Sequence, residues 1–291
     1  MQIQNLSRQF GEILAVDDVS FSVVPGRVTG FVGANGAGKT TTMRMILGVL
    51  APSSGEILWD GAPITVEQRR RIGYMPEERG LYPRMKVAEQ LIYLGRLYGA
   101  TPDDAARRAD ELLDHFDLGE RRGDLLDSLS LGNQQRVQIA AAVIHRPDAL
   151  VLDEPFSGLD PIAVDQMVEL LAREAGDLPL LFSSHQLDLV ERLCDDLVIL
   201  SAGRVVAAGS VDELRGVGAD RVRVTFEDTD AAWLRDLGGL EVLEADGPTA
   251  LVELAGTTRA QLLETAMGRA PVIEFATVRQ PLSEIYREAI Q

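Results

Sequence analysis

The stretch GANGAGKT, residues 33–40, sets three glycines around a single lysine and closes on a hydroxyl. Its spacing is G-x-x-x-x-G-K-[ST], with an apolar strand expected before it over 27–32 and an apolar periodic helix after it over about 40–50. In that setting Gly36 and Gly38 let backbone amides approach phosphate oxygens, and the helix N-terminus favours the anion. Lys39 can reach the β and γ phosphates of a nucleotide, Thr40 can ligate Mg²⁺, and Thr41 is a further phosphate contact. Such a loop serves ATPases, GTPases and small-molecule kinases alike.

A second set of chemical residues lies in ALVLDEP, residues 149–155. Four apolar residues make a buried strand that ends in Asp153 and Glu154. Asp153 can hold Mg²⁺ through water, and Glu154 can orient or deprotonate a water attacking the γ-phosphate. Adjacent side chains on a strand face opposite ways, so both serve one site only where the backbone turns. Pro155 and Gly158 are the residues expected to supply that turn. His185, after the apolar run LLFSS, ends another strand and can contact the γ-phosphate or the attacking water. Asp160, just ahead of Pro161, is a helix cap, a signal across an interface, or both. The stretch DSLSLGNQQRVQIA, residues 127–140, is a serine and glycine turn running into a helix expected over 133–144. It carries no metal-ligand cluster and no nucleophile of its own.

These residues need a scaffold, and 291 residues of which 46% are apolar suffice for one large core and a small second domain. Strands alternate with helices up to residue 214, which implies a largely parallel or mixed sheet covered by helices. Helices expected over 87–98 and 102–116 form part of an inserted helical lobe spanning about 85–145. A short glycine-containing linker is expected at 215–219. From 220 to 291 the order is strand, helix, strand, strand, helix, strand, with the first helix over 230–237, which suits a small ferredoxin-like α+β domain. The formal charge of -17, from 28 basic and 45 acidic residues, argues against broad nucleic-acid binding. Lys39 and Lys86 are the only lysines, so a lysine inside the glycine loop stands out. The single cysteine, Cys194, can form neither an internal disulfide nor a cysteine metal site. No leader-like start is seen, nor the roughly 18 apolar residues in a row that span a bilayer, so a cytoplasmic chain that can dock on membrane proteins is expected.

Over residues 1–214 the chain resembles the nucleotide-binding subunit of ABC transporters. GANGAGKT looks like the family's Walker A motif, LVLDE like Walker B, SGLD like the D-loop and SSH like the switch-histidine region. LSLGN, residues 129–133, looks like the ABC signature, which GTPases and small-molecule kinases lack. The resemblance implies a P-loop NTPase of ABC cassette type that binds ATP and Mg²⁺ and hydrolyses ATP. It implies nucleotide contacts from Phe10, standing before the first strand as the adenine-stacking aromatic, and from Val16, Gly33, Asn35 and Ala37. It also implies a head-to-tail dimer in which the signature of one copy, with Ser130, Gly132 and Asn133, caps ATP held by the phosphate loop of the other. Separate transmembrane permease subunits would hold this pair at the inner face of the membrane, docking near the helical lobe and the loop after Tyr74.

Two motifs depart from the family pattern. Leu131 and Asn133 stand where glycine and glutamine are commonest; Leu131 adds bulk near the nucleotide, while Ser130 and Gly132 remain. Glu77 takes the place of a glutamine in the loop YMPEERG; ionised, it accepts hydrogen bonds but cannot donate them, though it can still meet Mg²⁺ or water. Changed coupling or Mg²⁺ dependence is therefore expected. The segments IGYMPEERGLYPRM and LSLGNQQRVQ are similar to the sodium-exporter-like and drug-exporter-like bacterial subgroup. Two other readings stand beside a membrane exporter: a soluble ABC-type ATPase working on ribosomes or DNA, and a regulatory nucleotide sensor that turns over little. The C-terminal domain is expected to contribute dimer contacts.

Overall fold

The computed structural model describes residues 1–78, 80–216, 221–278 and 282–289. They form two compact units, residues 1–211 and 212–289. In chain order the strands of the first are β1 (Gln2–Phe10), β2 (Ile13–Ser22), β3 (Val28–Gly33), β4 (Ser54–Trp59), β5 (Ala62–Pro63), β6 (Ile72–Met75), β7 (Ala149–Leu152), β8 (Leu180–Ser184), β9 (Asp196–Ser201) and β10 (Arg204–Ser210). Its helices are α1 (Lys39–Ile46), α2 (Val66–Arg70), α3 (Val87–Leu97), α4 (Pro102–His115), α5 (Leu131–Val143), α6 (Pro161–Ala175) and α7 (Leu187–Leu193). Helix α8 (Val211–Gly216) leads on from β10; residues 217–219 of the expected linker lie outside the described residues. Among the described residues no helix is long and apolar enough to cross a membrane.

The central sheet has the order β10-β9-β3-β8-β7-β6, parallel except for β10. Its inner strands read as nearly continuous apolar runs because both faces are covered: every residue of β7 and β8 is buried, whereas none of the edge strand β10 is. A four-stranded antiparallel sheet, β2-β1-β4-β5, shares a core with it, and Met43, Met45 and Ile46 of α1 complete that core with Leu6, Phe31 and Leu181. Each such fully buried side chain contributes about 1.5–3 kcal/mol relative to an exposed one.

Strand β1 corrects the expectation that Phe10 precedes the first strand: Phe10 closes it. Register shifts between Ile3, Leu6, Arg8 and Gln9 break the two-residue alternation, and only Ile3 and Leu6 are buried, so the segment lacks the usual strand pattern. Helix α1 ends at Ile46 and not near residue 50, because Leu47 closes it and Gly48 takes the left-handed conformation, φ 75°.

Between β6 and β7 lies the helical lobe. Thr101 caps α4 by accepting from the Asp104 amide, Pro102 opens the helix, and Leu112, Leu113 and Phe116 are fully buried. Helix α5 starts at Leu131, two residues earlier than expected, because Ser130 is its cap. At the far end of the lobe His145 stacks on Tyr98, with 3.9 Å between ring centroids and 8° between planes. Neither imidazole nitrogen has a partner among the described residues, and burial lowers its pKa to about 4, against the opposing charge of Asp148.

The second unit contains β11 (Arg221–Phe226), β12 (Leu240–Asp246), β13 (Thr249–Leu254), β14 (Val272–Val278), α9 (Arg259–Arg269) and α10 (Leu282–Ala289). Its antiparallel order β12-β13-β11-β14 is that of a split βαβ, ferredoxin-like sheet. In place of the expected helix over 230–237 stands a 3₁₀ stretch, Ala231–Asp236, capped by Asp230; extended Leu237 and left-handed Gly239 leave no length for a second α turn. Val222, Val224, Phe226, Leu234, Val252 and Leu262 form the core of this unit.

The His145 ring generates a prediction. Its folded pKa lies below the unfolded value of 6.5, so as pH falls from 6.5 toward 4 the unfolded chain takes up a proton that the folded ring resists. Thermal stability should fall across that window, and His145→Phe, which keeps the stack, should fall less steeply; parallel melting-temperature curves would show that the ring is not the cause.

Candidate nucleotide site

Strand β3 runs into the glycine loop at Gly33, and the chain turns through Gly36 (φ 82°) and Gly38 (φ 104°) into α1. A Cβ on Gly33 would lie 2.6 Å from the Leu200 carbonyl oxygen, and one on Gly38 would lie 2.7 Å from that of Ala15. The loop is therefore held between β2 and β9 at a spacing that only glycine permits. Ala37 is buried and its carbonyl accepts from the Gly203 amide at 3.1 Å. No side chain caps α1, which leaves its first amides for an anion. Lys39 is buried, and its Nζ donates to the carbonyls of Gly33 at 2.7 Å and Ala34 at 3.3 Å.

Strand β7 delivers the carboxylates. Asp153 is 1% exposed and its amide extends the ladder to the Met75 carbonyl at 2.8 Å. Glu154 then adopts φ 51°, a left-handed conformation uncommon for a residue with a side chain. The turn expected at Pro155 and Gly158 thus begins one residue earlier, at Glu154 itself. This reversal lets two successive side chains serve one cavity.

Ser183 on β8, fully buried, donates its hydroxyl to Asp153 Oδ1 at 2.6 Å and accepts from the Glu154 amide at 2.8 Å. His185 Nδ1 lies 2.9 Å from Glu154 Oε2. A polar cavity of about 260 Å³ is lined by Ala15, Asn35, Gly36, Gly38, Lys39, Thr40, Thr41, Glu77, Asp153 and Glu154. Asp153 Oδ2 is buried with no hydrogen-bond partner among the described residues. A carboxylate oxygen free beside a threonine hydroxyl is an all-oxygen donor set, which suits Mg²⁺. Thr40, Asp153 and Glu77 are the residues that could hold it.

Other candidates stand apart from this cavity. Phe10 is 44% exposed, with the Arg8 guanidinium 4.6 Å above its ring centroid. Val16 is fully buried and packs beneath Gly38 as a core residue. Ser130 accepts from the Asn133 amide at 3.4 Å, which puts Gly132 in the first turn of α5. Leu131 leans on the D-loop, where its Cδ2 would be 2.9 Å from a Cβ on Gly158 (φ 76°). Gln135 Nε2 ties the same helix to the Ser157 carbonyl at 2.6 Å. Asp160 caps α6 by accepting from the Ala163 amide at 2.9 Å, and Pro161 follows it.

Ala15 carries no sequence signal, and neither Ser183, although it opens SSH, nor Tyr74 is singled out by the sequence for a role at this site. Ala15 acts through its carbonyl, and Ser183 sits in an apolar run. Tyr74 lies one residue before the end of β6, where burial and then the charge of Asp153 raise its pKa, so the phenol stays protonated at the edge of the site.

A glycine loop at the end of β3, a buried lysine and two successive carboxylates at the end of β7, separated from β3 by one strand of the same parallel sheet, define a P-loop nucleotide-binding protein. Residues 16–157 match the ABC transporter family. An uncharacterized ABC transporter ATP-binding protein, YhaQ, of Bacillus subtilis (strain 168) is 36% identical over 100% of this chain and 98% of its own length. Nod factor export ATP-binding protein I of Cupriavidus metallidurans is 37% identical over 77% of this chain and 76% of its own. A solved ATP-binding subunit of an ABC transporter superposes with a TM-score of 0.66 at 34% identity, over 74% of this chain and 92% of that one. The chain belongs to the ABC transporter family, as an ATP-binding subunit.

The closeness of Gly38 to β2 makes a second prediction. Gly38→Ala should destabilise the fold by about 1–3 kcal/mol and weaken binding of a fluorescent ATP analogue. Gly61→Ala is a control, since Gly61 is equally left-handed (φ 81°) with nothing within 4 Å of a Cβ. Equal losses of melting temperature in the two variants would mean that Ala15 does not confine the loop.

Proposed function

We propose that this chain is the ATP-hydrolysing motor subunit of a membrane exporter, working as a head-to-tail pair with separate permease subunits at the inner face of the membrane. The observation that carries the reading is the convergence of Lys39, Thr40, Asp153 and Glu154 on one cavity, while Ser130 and Gly132 lie at a helix N-terminus that does not line it. Half of the phosphate-binding chemistry is thus presented outward, where a second copy can use it.

In this reading the phosphate loop and Lys39 hold the β and γ phosphates, and Phe10 offers its exposed ring to the adenine. Thr40 and Asp153 hold Mg²⁺, with Glu77 near, and the cation when bound neutralises phosphate charge. Glu154 takes the proton of the attacking water. His185 steadies the Glu154 carboxylate from one side and faces the γ-phosphate. Ser130 and the amide of Gly132 grip the γ-phosphate of the partner copy, with Asn133 and Asp160 near that interface. Closure on ATP and opening after hydrolysis would move the permease. The direction of transport follows the Nod factor export relative, and the finer sodium- or drug-exporter-like grouping rests on the segments 72–85 and 129–138. The C-terminal unit is assigned to dimer contact.

Glu154→Gln should lower the ATPase rate with reconstituted permease by about 10²- to 10⁴-fold, the usual weight of a general base. The same variant should elute as a dimer with ATP and as a monomer without it. Equal rates in the two proteins, once contaminating ATPase is excluded, would remove Glu154 as the base.

A further inference from the structure

We propose that Ser183 is the positioning residue of the ATPase site, setting the orientation of both carboxylates through one buried hydroxyl; this rests on the hydrolytic reading above. The sheet register places it. Leu152 pairs with Phe182 across β7 and β8, so the next residue on each strand, Asp153 and Ser183, are side by side. Phe31 of β3 pairs with Ser183 from the other side, so the serine is enclosed by strands and fully buried.

A hydroxyl has one proton to donate, and here it goes to Asp153 Oδ1 at 2.6 Å. A lone pair of the same oxygen accepts the Glu154 amide at 2.8 Å. The first bond fixes which carboxylate oxygen remains for the cation, since Oδ1 is engaged and Oδ2 is the buried atom without a partner. The second anchors the amide of the residue whose left-handed φ of 51° turns the chain toward the cavity. Without the hydroxyl, the Asp153 carboxylate loses the bond that sets its rotation and the Glu154 amide loses its acceptor. The neighbouring Ser184 faces the other side of the sheet, as successive strand residues do, and its Oγ accepts from the Gln186 amide at 3.0 Å. Polar groups one step removed from a metal orient its ligands, and their loss costs about 10- to 100-fold in metal affinity or activity.

The test uses the full chain in a Glu154→Gln background, where the backbone contacts remain and turnover is suppressed. Mn²⁺ binding to the ATP complex is titrated by electron paramagnetic resonance, and ATP affinity is measured separately with no metal. Ser183→Ala should weaken Mn²⁺ binding about 10- to 100-fold while leaving metal-free ATP affinity unchanged, which also shows that the variant is folded. In the otherwise native chain, the same substitution should lower kcat, leave the KM for ATP nearly unchanged and raise the Mg²⁺ needed for half-maximal rate; Ser183→Thr, which keeps the hydroxyl, should recover both. Mn²⁺ binding as tight as in the parent, or an equal loss of ATP affinity without metal, would overturn the proposal. A native chain that hydrolyses no ATP with its permease would instead overturn the hydrolytic reading, and the Mn²⁺ titration would still decide the role of Ser183.

Discussion

Two carboxylates on successive residues of an extended strand point to opposite faces of the sheet, and the phosphate loop lies beyond the end of that sheet. Everything at this site depends on how the chain escapes that geometry. Glu154 does so by entering the left-handed region, φ 51°, immediately after the last residue of β7. The conformation is unfavourable for a residue bearing a Cβ, by about 1–2 kcal/mol. It is held because the Glu154 amide is bonded to a buried serine and its carboxylate to His185.

The parallel sheet makes such a convergence available. Strands β3, β6, β7 and β8 run in the same direction, so their C-terminal ends open on one edge. β3 contributes the phosphate loop, β6 leads to Tyr74 and Glu77, β7 to the carboxylates, and β8 to Ser183 and His185. Helix α5 and the D-loop form a second linked piece, joined by the Gln135 bond to Ser157 and by Leu131 against Gly158. Leu131, expected to crowd the nucleotide, spends part of its bulk on that glycine.

How much of this was legible follows from which interactions are local. The phosphate loop could be read because its glycines, lysine and hydroxyl are consecutive. The carboxylates could be read as a strand end, but the residue that turns the chain could not. It is set by Ser183, 29 positions after Glu154 and adjacent only through sheet register. Strand β1 escaped because its bulges erase alternation, and the 3₁₀ turn at Ala231–Asp236 because its composition resembles that of a helix while its length does not allow one. Helix α5 starts two residues before the sequence suggests because Ser130 caps it, and a Ser-Leu-Gly run by itself has the composition of a turn.

One backbone reversal thus brings Asp153 and Glu154 to the same nucleotide. A crystal structure of this chain with Mg²⁺ and a non-hydrolysable ATP analogue tests it most directly. The expected structure has Ser183 still on Asp153 Oδ1, Oδ2 turned to the hydrated cation, and Glu154 left-handed with its carboxylate toward the γ-phosphate. Asp153 bonded through the opposite oxygen, or Glu154 in an extended conformation with its carboxylate on the far side of the sheet, would contradict it.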